Sequence, residues 1–308
     1  MTVSDTVLNR RNAAMPEGTD MTATDSPSAI ILRAMEDRDI DAASGLSKAL
    51  GWPHRSEDWH FLLGAGQGLV AVTPAGELVG TTLWWSFGTR DAPVGMVIVA
   101  GAWQGHGIGR RLMTGARAAL PGRTLHLNAT PGGVPLYEKL GFRPCGLVEQ
   151  RQAIAVTQPL IPLPDGMRLR PAGGNDLTAI AALDRAANGM ERAALLRALL
   201  SVGKGIVVDA GGAIMGYSIC RAFGWGKVVG PVIATAEPFA AAMIAHWIGS
   251  CAGQFTRLDI PAACGLGAWL DEVGLPRVDT VTTMRTANAD EPAREAATTF
   301  ALGSQALG

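Results

Sequence analysis

Tyrosine is nearly missing from this chain: 308 residues hold two, beside four cysteines and a charged fraction of only 17%. Each shortage excludes something. Cys145, Cys220, Cys251 and Cys264 form no Cys-x-x-Cys pair and have no partnering histidine cluster. A disulfide framework or a thiolate metal site is therefore not expected, and buried reduced thiols fit a cytoplasmic protein that binds no metal. The formal net charge is -1, so nothing draws the whole molecule toward nucleic acid or a membrane surface. Apolar runs are cut by glycine or charge well short of membrane-spanning length. The first residues lack the basic region and apolar run of a secretory signal, and Met15 and Met21 both stand as alternative starts.

What is present is concentrated between Val97 and Phe142. An apolar run, Val97 to Ala100, leads through Gly101-Ala102-Trp103 into Gln104-Gly105-His106-Gly107-Ile108-Gly109. A helical pattern follows, with Ile108, Leu112, Ala116 and Ala119 on one face. Next come a short strand, Thr124 to Asn128, and a second helix that ends in Tyr137-Glu138-Lys139-Leu140-Gly141-Phe142. Glycines at alternate positions allow backbone conformations closed to other residues and remove side chains that would keep a ligand away. The free N–H groups of the following helix, with its dipole behind them, suit a diphosphate, and Arg110 and Arg111 supply counter-charge.

Two familiar phosphate-binding patterns fail here. A Walker loop ends in Gly-Lys-Ser/Thr, whereas this loop ends in Gly109-Arg110-Arg111. A dinucleotide fingerprint needs a third glycine at position 110, which is Arg, and no acidic residue ends the strand LHLNAT. The stretch instead resembles the acyl-CoA-binding core of the GNAT superfamily of N-acetyltransferases. Its Gln/Arg-x-x-Gly-x-Gly/Ala signature is met by Gln104, Gly107 and Gly109. The downstream Leu-Tyr-x-x-x-Gly-Phe is met by Leu136, Tyr137, Gly141 and Phe142.

The resemblance implies an α/β (α+β) fold of two GNAT-like domains. Each would have a mixed, mostly antiparallel central sheet with a splayed strand pair and flanking helices. It implies that the strand before the loop carries a bulge and diverges from the next strand. The pantetheine arm of acetyl-CoA, the co-substrate, would lie in that gap against backbone groups of Ile98, Val99 and Asn128. Backbone N–H groups from Gln104, Gly105, His106, Gly107, Ile108, Gly109 and Arg110 would hold the diphosphate. Amide groups near the thioester, with Asn128 among them, would steady the oxyanion. Tyr137 maps onto the general acid that protonates the departing thiolate. The base is where this chain departs: many members carry a carboxylate on the strand before the loop, and Val94 to Val99 has none. Either the amine arrives neutral or a base comes from elsewhere, with His54, His60 and Glu149 as candidates and His106 facing solvent or phosphate.

The remaining chain divides by composition. Residues 1–28 read as a disordered tail, 29–157 as the catalytic domain and 158–166, with three prolines, as a linker. Residues 167–286 read as a second domain and 287–308 as a second tail. Asp37 to Leu50 is expected as a helix, Ser56 to Leu63 as a capped turn, and Leu69 to Val72 with Leu78 to Trp85 as a hairpin. Of Trp84 and Trp85, one belongs to the core and the other is a candidate for the acceptor site. MRLRPA echoes ILRAME and DLTAIAALDRAA echoes DIDAASGLSKAL, a repeat whose period is a domain. The second copy has Thr235-Ala236-Glu237-Pro238 in place of the glycine loop and Leu270 or Asp271 in place of the tyrosine. This resembles bacterial two-domain GNAT proteins whose degenerate second half walls the acceptor pocket, with Trp225 or Trp269 as candidate walls. The expected reaction is acetyl transfer to the primary amine of a small molecule by direct attack. A protein amine as acceptor, and a non-catalytic acyl-CoA-binding sensor or scaffold, are the alternatives. No nucleic-acid or membrane partner is expected, and a homodimer is left open.

Overall fold

A computed structural model describes residues 29–155, 159–286 and 296–308. The same order of elements runs twice. The first half gives β1 (Ile31–Ala34), α1 (Ile40–Ala49), α2 (Ser56–Ala65), β2 (Gln67–Val72), β3 (Leu78–Trp84) and β4 (Asp91–Val99). It continues with α3 (Ile108–Ala119), β5 (Thr124–Ala129), α4 (Val134–Lys139) and β6 (Phe142–Ile154). The second half repeats this as β7 (Met167–Pro171), α5 (Leu177–Asn188), α6 (Ala193–Val202), β8 (Gly203–Ala210), β9 (Ala213–Phe223) and β10 (Gly226–Ala234). Then follow α7 (Glu237–Ser250), β11 (Phe255–Pro261), α8 (Gly267–Glu272) and β12 (Arg277–Thr286), with β13 (Thr298–Ala301) as an addition. Residues 159–166, between the halves, carry no helix or strand.

The strands form one sheet in the order β1-β2-β3-β4-β5-β12-β6-β11-β10-β9-β8-β7. Its centre shows an exchange. The last strand of the second half, β12, pairs with β5 of the first, and the last strand of the first half, β6, pairs with β11 of the second. The two exchanged strands run antiparallel along each other from Phe142 to Arg151. A cut at the proline-rich segment therefore divides the sequence but not the sheet. One core reflects this, uniting Trp59, Trp85 and Ile98 of the first half with Leu196, Tyr217 and Ile219 of the second.

Three expectations change. Ser56 opens a full helix rather than a turn: the Asp58 carboxylate accepts from the Arg55 backbone N–H at 3.0 Å, capping the first turn in place of a serine. Trp84 and Trp85 are both buried, their indoles donating to Gln67 and to the Leu62 carbonyl, so neither is left for an acceptor. The expected tail is tied down over 296–308, where Phe300, Ala301 and Leu307 are buried and β13 joins β10. Residues 1–28 and 287–295 lie outside the described residues.

Candidate active site

The site begins where two parallel strands part. β4 and β5 pair only from Asp91 to Pro93 against Thr124 to His126; beyond that point they share no register. The divergence follows a local distortion of β4. Met96 adopts φ 52°, rare for a side chain of that bulk, and the Thr81 hydroxyl donates to its carbonyl at 2.7 Å. The ladder between β3 and β4 slips a residue at the same level. The result is a fork with its crotch at Pro93 and His126, opening toward the glycine loop.

At the open end, Gly105 and Gly107 take φ of 81° and 78°, and a Cβ on either would meet nothing within 4 Å. Both conformations favour glycine, and the space above them is clear for a ligand. Gly107 is the N-cap of α3, so the free N–H groups of that helix open toward this space. Gly109 serves packing instead: its Cβ would stand 3.2 Å from Leu136 Cδ2 on α4.

A cleft of about 630 Å³ occupies the fork. Ile98, Val99, Gln104, Gly105, Gly107, Ile108, Gly109, Arg110, Asn128 and Tyr137 all line it, so these expected site residues come together. His106 does not; it is exposed, with Nδ1 2.9 Å from the Gln104 carbonyl oxygen. Arg111 is also turned away, donating to the Ile30 carbonyl at 2.6 Å. Lys139 lines the cleft beside Arg110, so the second basic group near the loop comes from α4 rather than from position 111. Leu50 and Trp52, from the turn after α1, complete the wall and have no motif that marks them. Gln104 Nε2 donates to the Val99 carbonyl at 3.1 Å, which leaves that carbonyl partly engaged.

Tyr137 sits under the cleft with its ring edge-on to Phe142, 5.8 Å between centroids. Burial pushes its phenol up to about 12, so it keeps its proton throughout the physiological range. No hydrogen bond to its hydroxyl exists among the described residues. Gly133 makes room for the ring, since a Cβ there would come within 2.9 Å of Tyr137 Cε2.

On the other side of β5 lies a second cavity of about 970 Å³, walled by both halves. Leu127 and Asn128 line both spaces and form the partition. The Asn128 side chain is committed here: its amide donates to the Gln305 carbonyl at 2.8 Å and its oxygen accepts from Thr283 at 2.8 Å. What Asn128 offers the fork is therefore backbone, not its amide. Ala306 packs where a Cβ on Gly95 would be, at 3.1 Å, so the C-terminal segment forms part of the cavity floor. Trp225 is 65% exposed, and neither it nor Trp269 lines the cavity.

The candidate bases fall elsewhere. His60 is exposed on α2 and Glu149 is held by Arg151 at 2.5 Å and Arg277 at 3.5 Å. His54 packs against Phe223, and burial lowers it to about 4. None lines either space. The cavity instead holds a pair that motif reading passes over: His126 Nε2 lies 2.7 Å from Asp91 Oδ1. Among the described residues no group of His, Cys, Asp and Glu is placed to hold a metal ion, and no helix is long and apolar enough to cross a membrane.

The second half has a fork of the same design, with a different occupant. β10 and β11 pair only through Lys227 and Val228 against Thr256 and Arg257. Beyond them β13 enters the gap, pairing antiparallel with Val232, Ile233 and Ala234 of β10. Leu302 N–H then donates to the Asp259 carbonyl of β11 at 2.8 Å. The chain's own strand fills the place that the first half leaves open.

Two family models of the acetyltransferase (GNAT) domain match this chain, over residues 59–158 and 180–301. The Uncharacterized N-acetyltransferase YitH of Bacillus subtilis (strain 168) is 30% identical over 218 residues, covering 69% of this chain and 75% of that protein. A Pyrococcus horikoshii structure of acetyltransferase fold aligns with a TM-score of 0.75 at 18% identity, over 96% of this chain and 100% of that one. A tandem GNAT protein from the clavulanic acid biosynthesis pathway aligns with a TM-score of 0.60 at 14% identity, over 85% and 100% respectively. With both halves matched and the element order repeated, the chain belongs to the GNAT acetyltransferases, as a tandem of two such domains.

Proposed function

We propose that this acyltransferase moves an acetyl group from acetyl-CoA to the primary amine of a small molecule, by direct attack and at one site per chain. The observation that carries the reading is the open fork of the first half, with Tyr137 beneath it and the acceptor cavity behind it. The unpaired edges of β4 and β5 offer backbone groups to the pantetheine arm at Ile98, Val99 and Asn128. The N–H groups of the 104–110 loop, with Arg110 and Lys139 nearby, suit the diphosphate. Clear space over two left-handed glycines is what a close backbone approach to phosphate needs.

The acceptor nitrogen reaches the thioester carbonyl from the cavity shared by the two halves. A space of about 970 Å³ is of the size that encloses a small molecule. As the amine nitrogen bonds to the carbonyl carbon and gives up a proton to solvent or a nearby base, the carbon–sulfur bond breaks and the Tyr137 hydroxyl gives its proton to the thiolate. A phenol held protonated by burial suits that role. The β13 plug in the second fork supports a single donor site.

Calorimetry with acetyl-CoA tests the donor half. One site per chain is expected, lost in Gly107→Glu, which adds a strained φ and a negative charge at the loop. Thiol release with a panel of primary amines tests the transfer. Absence of acetyl-CoA binding would overturn the reading; two sites would overturn its stoichiometry.

A further inference from the structure

β5 reads Thr124-Leu125-His126-Leu127-Asn128-Ala129, and its two faces differ. Leu125, Leu127 and Ala129 pack into the core with Met113 and Phe142. His126 and Asn128, both partly open, face the cavity between the halves. His126 is also the last residue of β5 in register with β4, so it stands at the crotch of the fork. An arm laid into the fork from the glycine loop points its reacting end toward that crotch. Asn128, on the partition, is two residues along the same face, about 7 Å on. The His126 ring is therefore within reach, directly or through one water, of a nucleophile entering from the cavity.

The ring is held in one working state. Nε2 lies 2.7 Å from Asp91 Oδ1, and both side chains are about four-fifths buried, at 22% and 19% exposure. With Nε2 donating to the Asp91 carboxylate, Nδ1 is the ring nitrogen left to accept a proton. Among the described residues nothing hydrogen-bonds Nδ1. Other ionisable groups on the cavity wall make poor bases. Arg90, Arg185, Arg192 and Arg285 are guanidinium donors with no acceptor to offer, burial raises the Cys264 thiol, and Cys145 Sγ donates to the Thr283 carbonyl at 3.5 Å.

We propose that His126, held by Asp91, is the base that takes the proton from the acceptor amine. The proposal rests on the acetyltransferase reading above. The nitrogen gives its proton to Nδ1 as it bonds to the thioester carbon. The imidazolium this forms is stabilised by Asp91 and later returns the proton to solvent. Tyr137 supplies the proton for the thiolate and regains one from solvent, matching the one His126 returns, so the step balances without a further reactant. Asp91 is a positioning residue, since it acts through the ring.

The groups facing His126 are Asp91 on β4, Arg285 opposite it on β12, Arg90 just before β4, and Arg185 and Arg192 across the cavity. The acceptor amine also gains a proton on the acid side, so the wild-type and His126→Gln profiles are compared with the same amine, and only their difference reports the imidazole. The test uses the full chain, acetyl-CoA and a panel of primary amines, with thiol release as the rate and calorimetry for donor binding. His126→Gln is expected to lower kcat/KM about a hundredfold near neutral pH and to change the acid side of the profile relative to the wild type with the same amine. Its acetyl-CoA affinity stays at the wild-type value, and exposed His60→Gln keeps full activity. Asp91→Asn gives a smaller loss with a displaced acid limb, and Asp91→Glu recovers most of it. A His126→Gln protein with the wild-type rate and profile would overturn the proposal while leaving the acetyltransferase reading intact. If that variant fails to fold, Asp91→Asn with unchanged kcat and pH profile overturns it equally. A wild type that binds acetyl-CoA but releases no thiol with any amine sinks the transferase reading, and this proposal with it.

Discussion

Mild acid should loosen the seam between the two halves through His54. Its ring lies 5.1 Å edge-on from Phe223 of β9 and 5.8 Å from Trp52, and its Nδ1 is buried without a partner among the described residues. Burial first, and the nearby Arg257 second, lower it from 6.5 to about 4. The unfolded chain takes up this proton near its ordinary value; the folded one resists until about pH 4. Between those limits the unfolded state holds more protons, so stability falls as the pH falls and is level above them. The full shift corresponds to up to about 3 kcal/mol, and the part of the ring still open to solvent brings this nearer 2. Asp39, Asp58 and Asp184, each held below 3.8 in the fold, act in a lower window, where their stabilisation is lost only as the pH drops through their depressed values. The two windows separate. Urea unfolding of the wild type and of His54→Leu, at several pH values from about 7 to about 4.5, reads the difference. The wild type should lose about 2 kcal/mol more than the variant over that range. His246, also lowered by burial, is present in both proteins and cancels. Parallel stability curves would refute the argument, because they would mean that His54 is as easily protonated folded as unfolded.

Three further outcomes follow from the geometry. Tyr137→Phe removes the hydroxyl but not the ring, so under the proposed role kcat should fall about a hundredfold in the thiol-release assay while calorimetric acetyl-CoA affinity holds; an unchanged kcat would remove Tyr137 from the reaction. Gly133→Ala places a Cβ 2.9 Å from Tyr137 Cε2 and should turn the ring, lowering kcat with little change in Tm. Gly230→Ala puts a Cβ 1.9 Å from the Leu302 carbonyl oxygen, a backbone atom that cannot swing aside. It should dislodge β13 and cost about 1–3 kcal/mol or more, seen as a lowered Tm.

The glycine loop and the cleft beside it were legible because their signals are local. Gly105 and Gly107 announce a left-handed loop, the α3 pattern follows at once, and Tyr137 lies within reach of both. The repeat was legible for a related reason, since order along the chain needs no knowledge of pairing. What escaped depends on contacts distant in sequence. His126 and Asp91 are 35 positions apart and meet only because β4 and β5 are parallel neighbours. The exchange of β6 and β12 has no local sign, because either strand satisfies the alternation that β5 or β11 requires. Thr298-Thr299-Phe300-Ala301 is too short to declare itself, and its burial comes from the fork it enters. His54 was open to either reading in the sequence, and only the neighbouring Phe223 from the other half reveals a packed ring.

Two forks of one design, one open and one filled, explain how a duplicated chain divides its labour. A diverging strand pair leaves backbone groups unpaired, and such groups need partners. The second half supplies them from β13 and from Leu302, and its loop of Thr235-Ala236-Glu237-Pro238 no longer shapes a phosphate site. Among the described residues no strand enters the fork of the first half, and left-handed glycines stand at its open end. Yet its fork is not self-supporting. The outer edge of β5 is paired by β12, from Thr282 on Ala129 to Arg285 on His126, and the C-terminal segment anchors to Asn128 through Gln305. The second half therefore backs the strand that carries His126 and Asn128, and it shares the wall of the larger cavity. Without a glycine loop of its own, it fixes the open strand of the first half.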